Sequence, residues 1–235
     1  MRLDKYLAEA AQCTRSESRE LIRKGRVSVN GAVCRRPEQQ VSEMDSIALD
    51  GKSRPRQAFV YIMLNKPAGV VSASADKRDT TVVDLVHSAY PRRELFPAGR
   101  LDKTSTGFVL ITDDGAFAHD ILAPRHHVPK TYRVTIDTPL TREMAEGFAR
   151  GVVLADRVQL APAEVSPLTA DGRTVRVVLH QGVYHQIKRM FGVFGAGVNA
   201  LHRESIGGVA LDGALAPGQY RELTQAELAA LQNWR

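Results

Sequence analysis

Two cysteines in 235 residues, Cys13 and Cys34, are too few for a disulfide framework, and without a C-x-x-C pair they offer no ribbon-type zinc site. A reducing compartment fits such a chain. No apolar run approaches the about 18 residues that a membrane-spanning helix needs. The N-terminus, MRLDKYLAEA, alternates charge with apolar groups where a secretory signal would be continuously apolar. A cytoplasmic location is expected, and no membrane partner. Neither G-x-G-x-x-G nor a Walker phosphate loop occurs, which removes the usual signatures of dinucleotide and nucleotide binding. There is no internal repeat.

The remainder is ordinary globular material. Hydrophobic residues make up 43% and charged residues 25%, so most of the chain buries enough apolar surface to fold, and the length favours two domains over one. Lys and Arg number 32 against 26 Asp and Glu, a net charge of +6 that attracts polyanions before any specific contact forms. The excess is concentrated at the start: twelve bases against eight acids over residues 1–56, and twenty against eighteen over the rest.

Leu3, Leu7 and Ala10 recur at helical spacing. Thr14 followed three residues later by Glu17 predicts a capping box opening a second helix that stops at Gly25. Val27 and Val29 alternate with polar residues up to Asn30-Gly31, a hairpin signal, and 47–49 forms a further strand before Asp50-Gly51. On the second helix Arg15, Arg19 and Arg23 lie four apart, with Lys24 and Arg26 at its end, a row suited to phosphates. In isolation the same row reads as a solvated face beside Glu17 and Glu20. The stretch RLDKYLA…TRSESRELIRKGRVSVNG resembles the S4 RNA-binding domain, which implies RNA contact for that face. Between Lys52 and Gln57, KSRPRQ has Pro, Ser and three bases but nothing apolar, the composition of an exposed linker. Residues 1–51 are therefore expected to form an S4-like domain, 52–58 a linker and 59–235 a second domain. From Phe59 the apolar segments FVYIML, FVLIT, TYRVTI and TVRVVL alternate with helical stretches at 116–122, 142–150 and 184–194, and Thr224 with Glu227 caps a last helix. The class is α+β.

The stretch GRLDKTSTGFVLITDDG at 99–115 places Arg100-Leu101-Asp102 in a loop leading straight into an apolar strand, the kind of rigidly held loop where sites gather. By spacing alone Asp102 is a turn or cap residue. The segment, however, closely resembles the signature of the RsuA family of pseudouridine synthases. LNKPAGVVS (64–72), KTYRV (130–134), GVYHQIKRMF (182–191) and LHRESIGG (201–208) match the family's other motifs in order and spacing. Thr104, Ser105 and Phe108 depart from its usual residues.

The resemblance implies an S4-like domain followed by a catalytic domain with a mixed, mainly antiparallel sheet flanked by helices. It implies conversion of a uridine to pseudouridine in 16S ribosomal RNA, or in an assembling small ribosomal subunit, by a monomer without cofactor or metal. Asp102 takes the place of the catalytic carboxylate, acting as nucleophile or as base. Lys188 takes that of its cationic partner, and a buried carboxylate needs one to stay charged. Tyr132 takes that of the tyrosine stacked on the target uracil. Arg100 would fill the gap left when the uridine is everted from its stack, and Arg189 faces either phosphate or pocket. Against Tyr132 stands the commoner role of a strand tyrosine as core filler. His126, His127 and His185 have no metal-ligand spacing and read as RNA-facing or structural. Two rivals are a non-catalytic ribosome-assembly protein, against which the intact motifs argue, and a synthase acting on large-subunit RNA, whose relatives often lack the S4 domain or carry a long basic tail.

Overall fold

The computed structural model describes residues 1–11, 13–42, 44–53, 59–123, 126 and 128–234. Most of the expected linker and His127 lie outside the described residues. The contacts divide the chain into two compact units, one of residues 1–59 with 87–94, the other of 60–86 with 95–235.

In the first unit, α1 (Leu3–Ala10) buries Leu3, Tyr6 and Leu7, one helical face. At the start of α2 (Arg15–Arg23) the capping box is present, with Thr14 Oγ1 accepting from the Glu17 amide at 3.0 Å and the Glu17 carboxylate accepting from the Thr14 amide at 2.6 Å. Strands β1 (Val27–Val29), β2 (Ala32–Cys34), β3 (Ile47–Leu49) and β4 (Lys52–Ser53) form an antiparallel sheet in the order β2-β1-β3-β4. Lys52 and Ser53, read as linker, thus belong to an edge strand, because the Asp50-Gly51 turn folds them back onto β3. The expected hairpin turn at Asn30-Gly31 has two consecutive positive φ angles, 52° and 83°, and the turn at Asp50-Gly51, expected only to end a strand, has 52° and 73°. That geometry is why Asn, Asp and Gly stand there. Leu3, Leu7, Ile22, Val27 and Ile47 make the core.

The second unit is built on nine strands: β5 (Tyr61–Lys66), β6 (Phe96–Pro97), β7 (Thr106–Thr112), β8 (Lys130–Ile136), β9 (Glu164–Pro167), β10 (Thr174–Leu179), β11 (Val198–Ile206), β12 (Val209–Ala210) and β13 (Tyr220–Glu222). The sheet runs β13-β5-β7-β11-β8-β10-β9, with β12 on β11 and β6 on β7. Among these pairs β7 and β11 are parallel and the rest antiparallel. Its helices among the described residues are α3 (Asp84–His87), α4 (Gly115–Leu122), α5 (Arg142–Arg150), α6 (Gln186–Val193) and α7 (Gln225–Gln232). Strands β5 and β7 are buried at nearly every position, which accounts for their unbroken apolar runs, whereas β8 alternates between buried and more open positions. Met63, Phe108, Leu110 and Ile206 pack against Phe117 and Ile121 of α4 and Leu231 of α7. No described helix is long and apolar enough to cross a membrane.

Candidate active site

Asp102 stands on the loop between β6 and β7, and the chain shapes that loop from beneath. Ser72, buried, donates from its hydroxyl to the Leu101 carbonyl and accepts from the Leu101 amide, both at 3.0 Å. Lys66, wholly buried at the end of β5, donates to the carbonyls of Ser105 (2.7 Å), Pro67 (2.9 Å) and Lys103 (3.3 Å). Burial pulls its pKa down to about 8; nearby Asp102 opposes the shift and Arg203 adds to it. The Gly69 amide donates to Lys103 O at 2.8 Å. The segment 64–72 is thus a cradle for the loop.

One cation and one imidazole meet the Asp102 carboxylate. Lys188 Nζ lies 3.2 Å from one oxygen and His185 Nε2 3.3 Å from the other. Lys188 also donates to Thr104 Oγ1 at 3.3 Å. His185 precedes α6 in the left-handed region (φ 51°) and makes no side-chain cap to the helix. Its ring is free to face Asp102, and it stacks on the ring of Tyr184 with centroids 3.8 Å apart. That left-handed residue starts α6 at Gln186, two residues later than the sequence predicts. Tyr184 itself is 76% exposed.

These residues line a cavity of about 590 Å³ together with Arg100, Lys130, Tyr132 and Arg203. Asp102 keeps 27% of its side-chain exposure, so it is half-buried at an open mouth, not sealed from water as the sequence reading expects. Tyr132 is buried on β8. Arg100 is exposed at the rim. Arg189, left open between pocket and phosphate, lines no part of the cavity and pairs with Asp156. His185, read as RNA-facing or structural, is instead a neighbour of Asp102. Among the described residues no group of three or more His, Cys, Asp or Glu could hold a metal ion.

Sequence reasoning assigned no role to Lys66, Lys130 or Arg203, all buried. Lys130 donates to Val128 O at 2.8 Å, and burial with Arg203 nearby pulls its pKa down to about 8. Of the three departures from the family pattern, Ser105 and Phe108 meet these groups through backbone carbonyls, to Lys66 and Arg203, which a change of side chain leaves in place. Thr104 alone among them meets Lys188 through its side chain, while the Phe108 ring packs in the core.

On α2 the arginines are not equivalent. Asp4, fully buried on α1, binds Arg15 (3.1 Å), Arg19 (2.9 Å) and Arg2 (3.0 Å). Burial by itself pushes this carboxyl up, and the three guanidiniums outweigh it and hold it well below the usual carboxylate range. Lys24 pairs with Glu20 and Arg26 with Asp50. Arg23 is exposed without an ion pair among the described residues. The row of three equal phosphate ligands is therefore corrected to two guanidiniums shared with Asp4 and one uncommitted.

The family comparisons agree with this architecture. The S4 domain family matches residues 1–47 and the RNA pseudouridylate synthase family residues 60–192. Ribosomal small subunit pseudouridine synthase A of Escherichia coli is 42% identical over 98% of this chain and 100% of its own length. An uncharacterized RNA pseudouridine synthase of Bacillus subtilis is 42% identical over 98% of both. A pseudouridylate synthase crystal structure superposes with a TM-score of 0.69 at 37% identity, over 98% of this chain and 99% of that one. The chain belongs to the RNA pseudouridylate synthase family, in its RsuA-type branch with an S4 domain, and is an isomerase.

Proposed function

We propose that the enzyme converts one uridine of 16S ribosomal RNA, presented free or in an assembling small subunit, to pseudouridine in the cytoplasm, acting as a monomer. The relatives named for the small subunit support this target. The single observation that carries the chemistry is the Asp102 carboxylate between Lys188 and His185, in one cavity with Tyr132.

The isomerisation breaks the bond from C1′ to N1 and makes one from C1′ to C5, without redox change. A stacked uridine cannot bring C1′ to Asp102, so the nucleotide is everted at a cost of a few kcal/mol. Arg100, on the rim two residues before Asp102, fills the vacated place. The entering nucleoside displaces water from the open mouth, which strengthens the pairing of Asp102 with Lys188. Tyr132 stacks on the uracil, and the exposed ring of Tyr184 offers a second face to a flanking base. Residues 1–51 dock the RNA, with Arg23, Arg15 and Arg19 toward phosphate, and 59–235 carry out the reaction.

The test is incubation of the enzyme with small-subunit RNA and, separately, with 23S RNA, followed by carbodiimide mapping of pseudouridine. One new site in 16S RNA is expected. Tight RNA binding with no new pseudouridine would favour an assembly protein, and modification confined to 23S RNA would refute the target.

A further inference from the structure

Arg203 is 2% exposed and pairs with no carboxylate among the described residues. It stands on β11 between two strands, level with Gly107 of β7 and Tyr132 of β8. Gly107 has φ +101°, and a Cβ there would come within 2.4 Å of the Arg203 carbonyl oxygen. The close approach that seats Arg203 thus requires glycine. Arg203 Nε donates to Phe108 O at 2.7 Å, while Nη2 is buried with no acceptor among the described residues. A buried donor left unmatched is unfavourable, the more so on a charged group.

Arg203 is among the residues that line the cavity holding Asp102 and Tyr132. Asp102 is the one carboxylate in that lining and already faces Lys188 and His185. Lys130 and Arg203 leave the interior with positive charge that no described acid offsets. Such a site is relieved by an arriving acceptor that carries negative charge.

We propose that Arg203 is a catalytic residue that donates to a carbonyl oxygen of the uracil and takes up the charge of the base when it leaves the ribose. The inference rests on the pseudouridine reading above. When C1′–N1 breaks, its electron pair passes to the base and spreads from N1 onto O2 and O4. Carbon C1′ is meanwhile bonded by Asp102, or joined by a double bond to C2′ as Asp102 removes the C2′ proton. Re-addition at C5 releases Asp102 or returns the proton to C2′. The C5 proton is then lost and N1 gains one, so nothing is oxidised or reduced. The intervening half-turn about the N3–C6 axis exchanges N1 with C5 and the C2 carbonyl with the C4 carbonyl. A donor fixed at one carbonyl position therefore meets one oxygen before the turn and the other after it, and a single immobile guanidinium serves both states. Its hydrogen bond is strongest while the base is detached and charged, which favours the transition state over the bound substrate.

The test uses the full-length enzyme and small-subunit RNA in single turnover. Arg203→Gln is expected to slow conversion about 100-fold or more, the effect of removing one preorganised donor, with RNA affinity within about threefold of wild type. Arg203→Lys should fall between the two. A folded Arg203→Gln enzyme with a wild-type rate, or one whose loss lies wholly in RNA affinity, overturns the assignment. A second measurement needs no variant: the wild type acting on RNA with 2-thiouridine or 4-thiouridine at the target. Sulfur accepts hydrogen bonds poorly, so at least one substitution should slow turnover about tenfold, although it makes the base easier to expel. Undiminished rates on both overturn the proposal even if Arg203→Gln fails to fold. A wild type that forms no pseudouridine in unmodified RNA would sink the functional reading instead.

Discussion

At the scale of single residues, the loop that carries Asp102 is held mostly by buried donors, so its geometry depends on groups that never meet the substrate. Replacing Lys66 by Met would leave the carbonyls of Pro67, Lys103 and Ser105 without their shared donor, at about 1–3 kcal/mol for each one that water cannot reach. The expected outcome is a lower thermal midpoint and a slowed single-turnover rate with unchanged RNA affinity, read by calorimetry and rapid-quench assay. Wild-type rate in Lys66→Met would show that the loop holds its shape without the cradle. The motifs point to Asp102, Lys188 and Tyr132, which the fold gathers in one cavity. Lys66, Lys130 and Arg203 are not legible in this way, because a lone Lys or Arg reads as exposed unless a fold buries it. A signal did exist for Lys66, which sits one residue, Asn65, beyond the apolar run VYIML and directly before Pro67.

At the scale of elements, local chemistry decides what can be read. The capping boxes at Thr14 and Thr224 and the hairpin turn at Asn30-Gly31 are set by neighbouring residues and legible in sequence, whereas the polar residues after Asp50-Gly51 hide the second hairpin behind a linker composition. Strand β11 does not show in the sequence pattern, although its LHRESIGG segment matches a family motif. Register shifts between Val198 and Ala200 and between Arg203 and Ser205 break the two-residue alternation that would have marked it. The arginine spacing on α2 was read correctly, but Asp4, eleven residues before Arg15, lies on another helix and is invisible to a periodicity argument. Asp4→Asn is expected to destabilise the N-terminal unit by about 1.5–3 kcal/mol, the worth of hydrogen bonds to a charged group. Because the folded carboxyl is held below its unfolded value near 4, its stabilisation is complete above that pH and fades as the solution is acidified further. Chemical denaturation of wild type and Asp4→Asn at pH 7 and pH 3 checks this. The difference should shrink at the lower pH, and a constant difference would contradict it.

For the whole molecule, charge is distributed by function. The basic excess of the first unit is partly consumed internally, by Asp4, Glu20 and Asp50, so the surface left for RNA is smaller than the count of arginines suggests. Arg23→Ala is expected to reduce the slope of log affinity against log salt by about 0.7–0.9, one phosphate contact; an unchanged slope would return that face to solvent. In the second unit, burial lowers Lys66 and Lys130 to about 8. Between that pH and the unfolded value near 10.4 the unfolded chain binds more protons, so their contribution makes unfolding free energy rise with pH across this window and stay level below it. Lys130→Met should remove its share of the rise, and an unaltered slope would contradict the assignment.

The central measurement is the single-turnover yield of pseudouridine by Asp102→Asn on small-subunit RNA. Asparagine keeps the shape and loses the charge that Lys188 and His185 face. Conversion is expected to vanish while RNA binding stays within about threefold of wild type. A variant that still turns over at a tenth of the native rate, a barrier change of only about 1.4 kcal/mol, would place the chemistry elsewhere.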